Sequence, residues 1–109
     1  MQPHKRKVLH YVVNGKDVFK EWLDGLDDIS GRAVILKRID RVEEGNFGDH
    51  CCVGGGVWEI RVHYGPGYRV YYGENGLKIV LLLCGGNKGA QKKDIRKARE
   101  LWAEYRRGK

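Results

Sequence analysis

The fold of this chain is decided by residues 58–88, WEIRVHYGPGYRVYYGENGLKIVLLLCGGNK. Residues 57–64 alternate, with Trp58, Ile60, Val62 and Tyr64 on one side and Glu59, Arg61 and His63 on the other. That is the period of a half-buried β-strand. Residues 68–72 alternate again, Tyr68, Val70 and Tyr72 against Arg69 and Tyr71. A three-residue connection, Gly65-Pro66-Gly67, would join them as an antiparallel hairpin, with Gly67 supplying the positive φ that such loops use. Opposed residues then pair as Tyr64 with Tyr68, His63 with Arg69 and Arg61 with Tyr71. A one-residue slip would exchange the faces of every side chain. The register therefore predicts one face carrying Arg61, His63, Arg69 and Tyr71, and an opposite apolar face of Trp58, Ile60, Val62 and Val70.

Residues 77–84, LKIVLLLC, form an almost unbroken apolar run, the pattern of a strand covered on both faces. The run stops at Gly85-Gly86-Asn87, read as a flexible loop that brings Lys88 beside the cationic face. Outward from this three-stranded unit, residues 8–13 (VLHYVV) read as one short strand ended by Asn14-Gly15. Phe19, Trp22, Leu23 and Leu26 give the stripe of an amphipathic helix over 17–26. Ser30 is the expected N-cap of a second helix over 31–44, and the two helices should form a hairpin across the sheet. The Gly-rich segment 45–56, GNFGDHCCVGGG, has no periodicity and reads as a loop. A last helix over 90–107 carries Ile95, Ala98, Leu101, Trp102 and Tyr105 on one stripe. The predicted order is β-α-α-β-β-β-α, an α+β domain whose small, mostly antiparallel sheet carries helices on one face.

Bulk properties agree with one domain, 8–107, behind a loose basic tail, 1–7. At 109 residues, 41% of them hydrophobic, the chain can bury a core without staples. No apolar run reaches the ~18–20 residues of a membrane span, so the expected location is the cytoplasm. Three cysteines, two of them adjacent, make neither a disulfide framework nor a zinc spacing, and no metal or cofactor is expected. The net charge is +7, and residues 88–109 hold nine Lys or Arg against three Asp or Glu. Cations concentrated at one end and on a strand face suit a phosphate-rich partner, although a charge run is commonly just a solvated helix face.

The strings EIRVHYGPGYRVYY and LLLCGGNKGAQKKDIRKA, with FKEWLDGL and AVILKRIDRVEEGNFGD upstream, resemble the RelE/HigB superfamily of toxins from type II toxin–antitoxin modules. Within it they are most similar to the phage-derived addiction-module killer proteins. The resemblance spans roughly residues 16–104. It implies a RelE-like fold, an mRNA endoribonuclease acting on translated messages at the ribosome, and a cognate antitoxin, commonly a helix-turn-helix protein. It places phosphate and catalytic contacts on the concave sheet face and in the loop before the last helix. Arg69 matches the arginine of the family's GYR motif, Arg61 and His63 lie on the preceding strand, and Lys88 follows the Gly-rich turn. Asn87 departs from the Asp common at that point in relatives.

The chemistry open to such a face needs no resemblance to state. Metal-free RNA cleavage uses the substrate's 2′-OH as nucleophile on the adjacent phosphorus and leaves a 2′,3′-cyclic phosphate and a 5′-OH. It requires a base, cations for the charge that builds on phosphorus, and an acid. His63 is the histidine of the predicted face, and an imidazole can serve as base or acid near neutrality. Arg69 and Arg61 offer bidentate forks to phosphate oxygens, and Tyr71 could orient the 2′-OH or stack on a base. The catalytic set is thus Arg61, His63, Arg69, Tyr71 and Lys88, with Gln91, Lys92, Lys93 and Arg96 as the RNA-binding extension. The base could be His63 or a cation-lowered Tyr71 or Lys88. Each residue has a plainer competitor: Arg69 could simply pair with Glu59, Tyr71 could be packing, and His63 an exposed strand end. Two further functions stay open, a toxin of the same fold that inhibits gyrase as ParE relatives do, and a non-catalytic RNA-binding or interaction module.

Overall fold

The computed structural model describes residues 4–108. Its elements are β1 (Lys7–His10), β2 (Val12–Val13), β3 (Lys16–Asp17), α1 (Val18–Asp24), α2 (Ile29–Glu43), β4 (His50–Gly54), β5 (Val57–Val62), β6 (Tyr68–Asn75), β7 (Ile79–Asn87) and α3 (Gln91–Arg107), with a 3-10 turn over Lys88–Ala90. Residues 79–84 of the apolar run lie within β7, which has a neighbour on each side in a five-stranded sheet of order β1-β7-β6-β5-β4, whereas Leu77 precedes the strand and is exposed. Only the β1–β7 pair is parallel. The expected mixed α+β architecture with a mostly antiparallel sheet is what the chain adopts.

Helices cover both faces, not one. α1 and α2 bring Phe19, Leu23, Ile35, Ile39 and Val42 against Ile60, Val62, Tyr68, Val70, Tyr72, Val80 and Leu82. On the other face Ala98, Leu101 and Trp102 of α3 pack on Val57, Tyr71, Leu81, Leu83 and Cys84. A strand apolar on both sides needs cover on both, so LKIVLLLC itself argues for two layers. The β6–β7 pairing slips by one residue after Tyr71. This bulge lets consecutive Leu83 and Cys84 both enter the α3 layer.

Asp28, not Ser30, caps α2: its side chain accepts from Gly31 N at 2.8 Å, and its second oxygen takes the Tyr68 hydroxyl at 2.9 Å. Asp17 caps α1 through Lys20 N at 3.0 Å. Residues 8–13 are two strands. β1 ends at His10, and Val12–Val13 turns back on Lys16–Asp17 through Asn14 (φ 52) and Gly15 (φ 73), a two-residue hairpin. The end of the expected tail 1–7 is structured. Lys7 opens β1, and Arg6 donates its N–H to Glu43 O at 2.8 Å and sets its guanidinium over Phe47. Residues 1–3 lie outside the described residues.

Two more expectations change near the sheet's cationic end. The segment 45–56 is not all loop, because His50–Gly54 pairs antiparallel with β5. The partner strand supplies the order that local composition lacks. Gly85 and Gly86 are strand, not flexible loop. A side chain at Gly85 would run into the Trp22 ring of α1, and one at Gly86 into the Asp94 carboxylate of α3. The two glycines let helices press closely on opposite faces.

Candidate active site

The hairpin register is two residues away from the expected one: Val62 faces Tyr68, Arg61 faces Arg69, and Glu59 faces Tyr71. The connection is five residues, 63–67. It is closed by Tyr64 N to Val62 O at 2.9 Å and Gly67 N to Tyr64 O at 3.0 Å, with Gly65 and Gly67 both at positive φ. A slip of two preserves the faces. Arg61, Arg69 and Tyr71 therefore still share a side with Glu59, now with the two arginines directly opposed.

Like charges opposed across strands repel, and Glu59 neutralises them. Its side chain is fully buried, and Oε1 accepts from Arg61 Nε at 3.1 Å and Arg69 Nη1 at 3.5 Å. Its other oxygen takes Gln91 Nε2 from the first turn of α3 at 2.9 Å. A buried carboxylate is tolerable only when paired in this way. Arg61 is further held by Cys51 Sγ, 2.9 Å from Nη2, and by Asp49 Oδ1, 3.7 Å from Nη1.

His63 lies just past the end of β5 and is exposed, its Nε2 2.5 Å from Asp49 Oδ2. Asp49 is fixed by its own backbone, whose carbonyl accepts Arg61 N at 2.9 Å. Arg38 of α2 clamps the same corner, donating to Arg61 O at 2.8 Å and Phe47 O at 3.1 Å. The hydrogen bond from His63, with Arg61 nearby, holds the Asp49 carboxyl below its ordinary range. An ionised carboxylate accepts only, so Nε2 carries a proton, and the tautomer that leaves Nδ1 bare has Nδ1 as its acceptor.

Arg61, His63, the 65–67 turn, Arg69 and Lys88 line a cleft of about 420 Å³. Lys88 reaches it because its N–H bonds Gly67 O at 2.8 Å, and Asn87 starts the following turn by accepting Ala90 N at 3.2 Å. The cleft thus gathers four of the five expected catalytic residues. Tyr71 is the exception. Its side chain is fully buried in the α3 layer, and burial, then the Glu59 charge, push its phenol up rather than down. That setting works against Tyr71 as a cation-lowered base. Arg69 is 9% exposed, and its bond to Glu59 makes the plainer pairing real alongside any ligand role. Gln91 is spent on Glu59, whereas Lys92, Lys93 and Arg96 are exposed along α3. His50 turns to the opposite layer, its ring near Phe47 and Trp58 at 5.5 and 5.8 Å.

Sequence reasoning missed Asp49 altogether and treated Glu59 only as a rival partner. The alternation already put Glu59 beside Arg61, so its place was readable. Asp49 had no signal, since its position depends on the Gly-rich segment becoming an edge strand. Among the described residues no group of three or more His, Cys, Asp or Glu could hold a metal ion. No helix there is long and apolar enough to cross a membrane.

Comparison with known proteins adds two findings. Residues 21–103 match the family described as phage derived protein Gp49-like (DUF891). A protein of Haemophilus influenzae, described as uncharacterized, is 44% identical over 86 residues, covering 79% of this chain and 87% of that protein. The match over most of the domain is decisive: this chain belongs to the Gp49-like family of phage-derived proteins, a family associated with toxin–antitoxin addiction modules.

Proposed function

We propose that this protein is the toxin of a type II toxin–antitoxin module and a metal-independent mRNA endoribonuclease of RelE/HigB type. It acts in the cytoplasm on messages under translation at the ribosome, and a cognate antitoxin restrains it. The observation that carries the reading is the Asp49–His63 pair at the lip of a cleft lined by Arg61, Arg69 and Lys88. His63 Nδ1 takes the proton of the substrate's 2′-OH, whose oxygen attacks phosphorus. The bond to the 5′-oxygen breaks, and the Lys88 ammonium supplies that oxygen with its proton. Arg61 and Lys88, with Arg69 behind them, stabilise the non-bridging oxygens as negative charge grows. Asp49 positions His63 and favours its protonated form after the transfer, the part a carboxylate plays beside a basic imidazole. Tyr71 has no contact with substrate.

Family membership and fold support the toxin part of this reading, and the clustered histidine and cations favour a nuclease over a gyrase inhibitor. The engagement of Arg69 by Glu59 favours the other competitor, a non-catalytic RNA-binding module. Primer extension on a reporter mRNA after brief expression of wild type, Arg69→Ala and His63→Ala tests both. New 5′ ends inside the coding region, lost in the variants, are expected. Growth arrest without new ends would reject the nuclease.

A further inference from the structure

Beyond the cleft, the concave surface continues. Lys88 also lines a second hollow, of about 570 Å³, with Gly89, Ala90, Gln91, Lys92 and Lys93. Lys92 in turn borders a third, of about 550 Å³, whose other walls are Ile95, Arg96, Arg99 and Glu100. Each hollow shares a lining residue with the next, Lys88 and then Lys92, and the series outlines a groove leading away from His63. Lys92, Arg96 and Arg99 stand at i, i+4 and i+7 on α3 and so share a face. That face looks toward β4, because Arg99 Nε donates to Val53 O at 3.0 Å and the Arg99 side chain packs on Gly54 and Gly55. With Nε and Nη2 both on Val53 O, the side chain of Arg99 is fixed in place.

We propose that this groove is a track for single-stranded RNA: one flank of the substrate leaves the cleft at Lys88 and runs beside α3 over Lys92, Arg96 and Arg99. The inference rests on the nuclease reading and adds the direction and form of its substrate. A cation recurs about once per helical turn, ~5.4 Å, a spacing that suits successive phosphates of an extended strand. Ile95 gives an apolar floor for sugar or base, and Glu100 closes the far rim. A positive groove following a backbone is how single strands are bound without regard to sequence. An acidic peptide is the competing occupant, but it has no reason to start at the phosphate-handling cleft.

The test uses the whole protein and labelled uridine oligomers of two to eight nucleotides, 2′-O-methylated so that none is cut, with binding followed by fluorescence anisotropy. Affinity should rise with length in wild type. In Lys92→Gln/Arg96→Gln, whose replaced side chains are exposed, the octamer should bind about tenfold more weakly, and its salt slope should fall by about 1.4, ~0.7 for each lost phosphate contact. The dinucleotide, too short to reach the track, is the internal control. Octamer affinity within twofold of wild type in the double variant would overturn the track. A glutamate-rich peptide of equal charge that binds as tightly, and is lost with the same substitutions, would also overturn it and assign the face to a protein. Length-dependent binding by a protein that makes no new 5′ ends in the reporter mRNA would sink the nuclease and leave the track standing.

Discussion

Asp49 Oδ2 and His63 Nε2 meet at 2.5 Å, although fourteen residues separate them in the chain. The contact exists because β4 pairs with β5, so the end of a Gly-rich segment arrives beside the end of a hairpin. It converts an exposed histidine into an oriented one, held by one ring nitrogen at the wall of the cleft.

Asp49→Asn should therefore act on rate before binding. The amide cannot balance an imidazolium, so kcat for RNA cleavage should drop about 10²-fold, the scale of a general base's contribution, with KM little changed. Single-turnover kinetics on mRNA held in programmed ribosomes would check this. A rise in KM with kcat intact would make Asp49 a binding residue.

The same pair has a pH signature. The folded state holds the Asp49 carboxyl low, first through the His63 hydrogen bond. Its stabilising contribution is thus fully present above the ordinary carboxylate value, about 4, and is lost as pH falls through the depressed folded value. Urea midpoints of wild type and Asp49→Asn should differ at pH 6 and converge toward pH 2. A gap that widens on acidification would contradict the sign.

Glu59→Gln should be strongly destabilising. The amide leaves Arg69 buried with its charge uncompensated, and breaking a buried pair from one side costs about 3–5 kcal/mol. Arg61, more exposed, escapes much of that cost. Equilibrium urea unfolding gives the number, and a loss under about 1 kcal/mol would mean the cluster is wetter than its burial implies.

How far the sequence carried is visible in these residues. Parity along β5 and β6 put Glu59, Arg61, Arg69 and Tyr71 on one side, and this survived a two-residue error in register because parity is all that alternation encodes. Which of the four stay reachable was not encoded locally. Tyr71 vanishes under α3 while Arg61, two residues nearer the turn on the facing strand, stays half-buried, a difference set by where a distant helix begins. HCCVG has weak strand character and took its structure from β5, which is why Asp49 stayed invisible.

Gly85 and Gly86 offer a test of the two-layer packing. Ala at either position should destabilise by about 1–3 kcal/mol through overpacking, against Trp22 and Asp94 respectively. Gly89→Ala, whose nearest neighbour is Asn87 Oδ1 at 3.3 Å, should be close to neutral. Asp94→Ala should restore much of the loss in Gly86→Ala but none in Gly85→Ala, a coupling that a double-mutant cycle reads directly. Equal rescue of both would mean the cost is strand propensity, not space.

Tyr71→Phe separates strand parity from the structure. Alternation and the chemistry of RNA cleavage led to Tyr71 as a contact for RNA, yet its hydroxyl is buried beside the Glu59 carboxylate, where burial and that charge disfavour ionisation. Removing the hydroxyl costs at most one hydrogen bond, about 1 kcal/mol net. The variant should fold with stability within about 1 kcal/mol of wild type and cut reporter mRNA at an unchanged rate, while His63→Gln, equally folded, loses the cuts. Primer extension beside thermal unfolding checks both. A folded Tyr71→Phe protein that no longer cleaves would mean α3 lifts to admit substrate, and the phenol would return to the catalytic set.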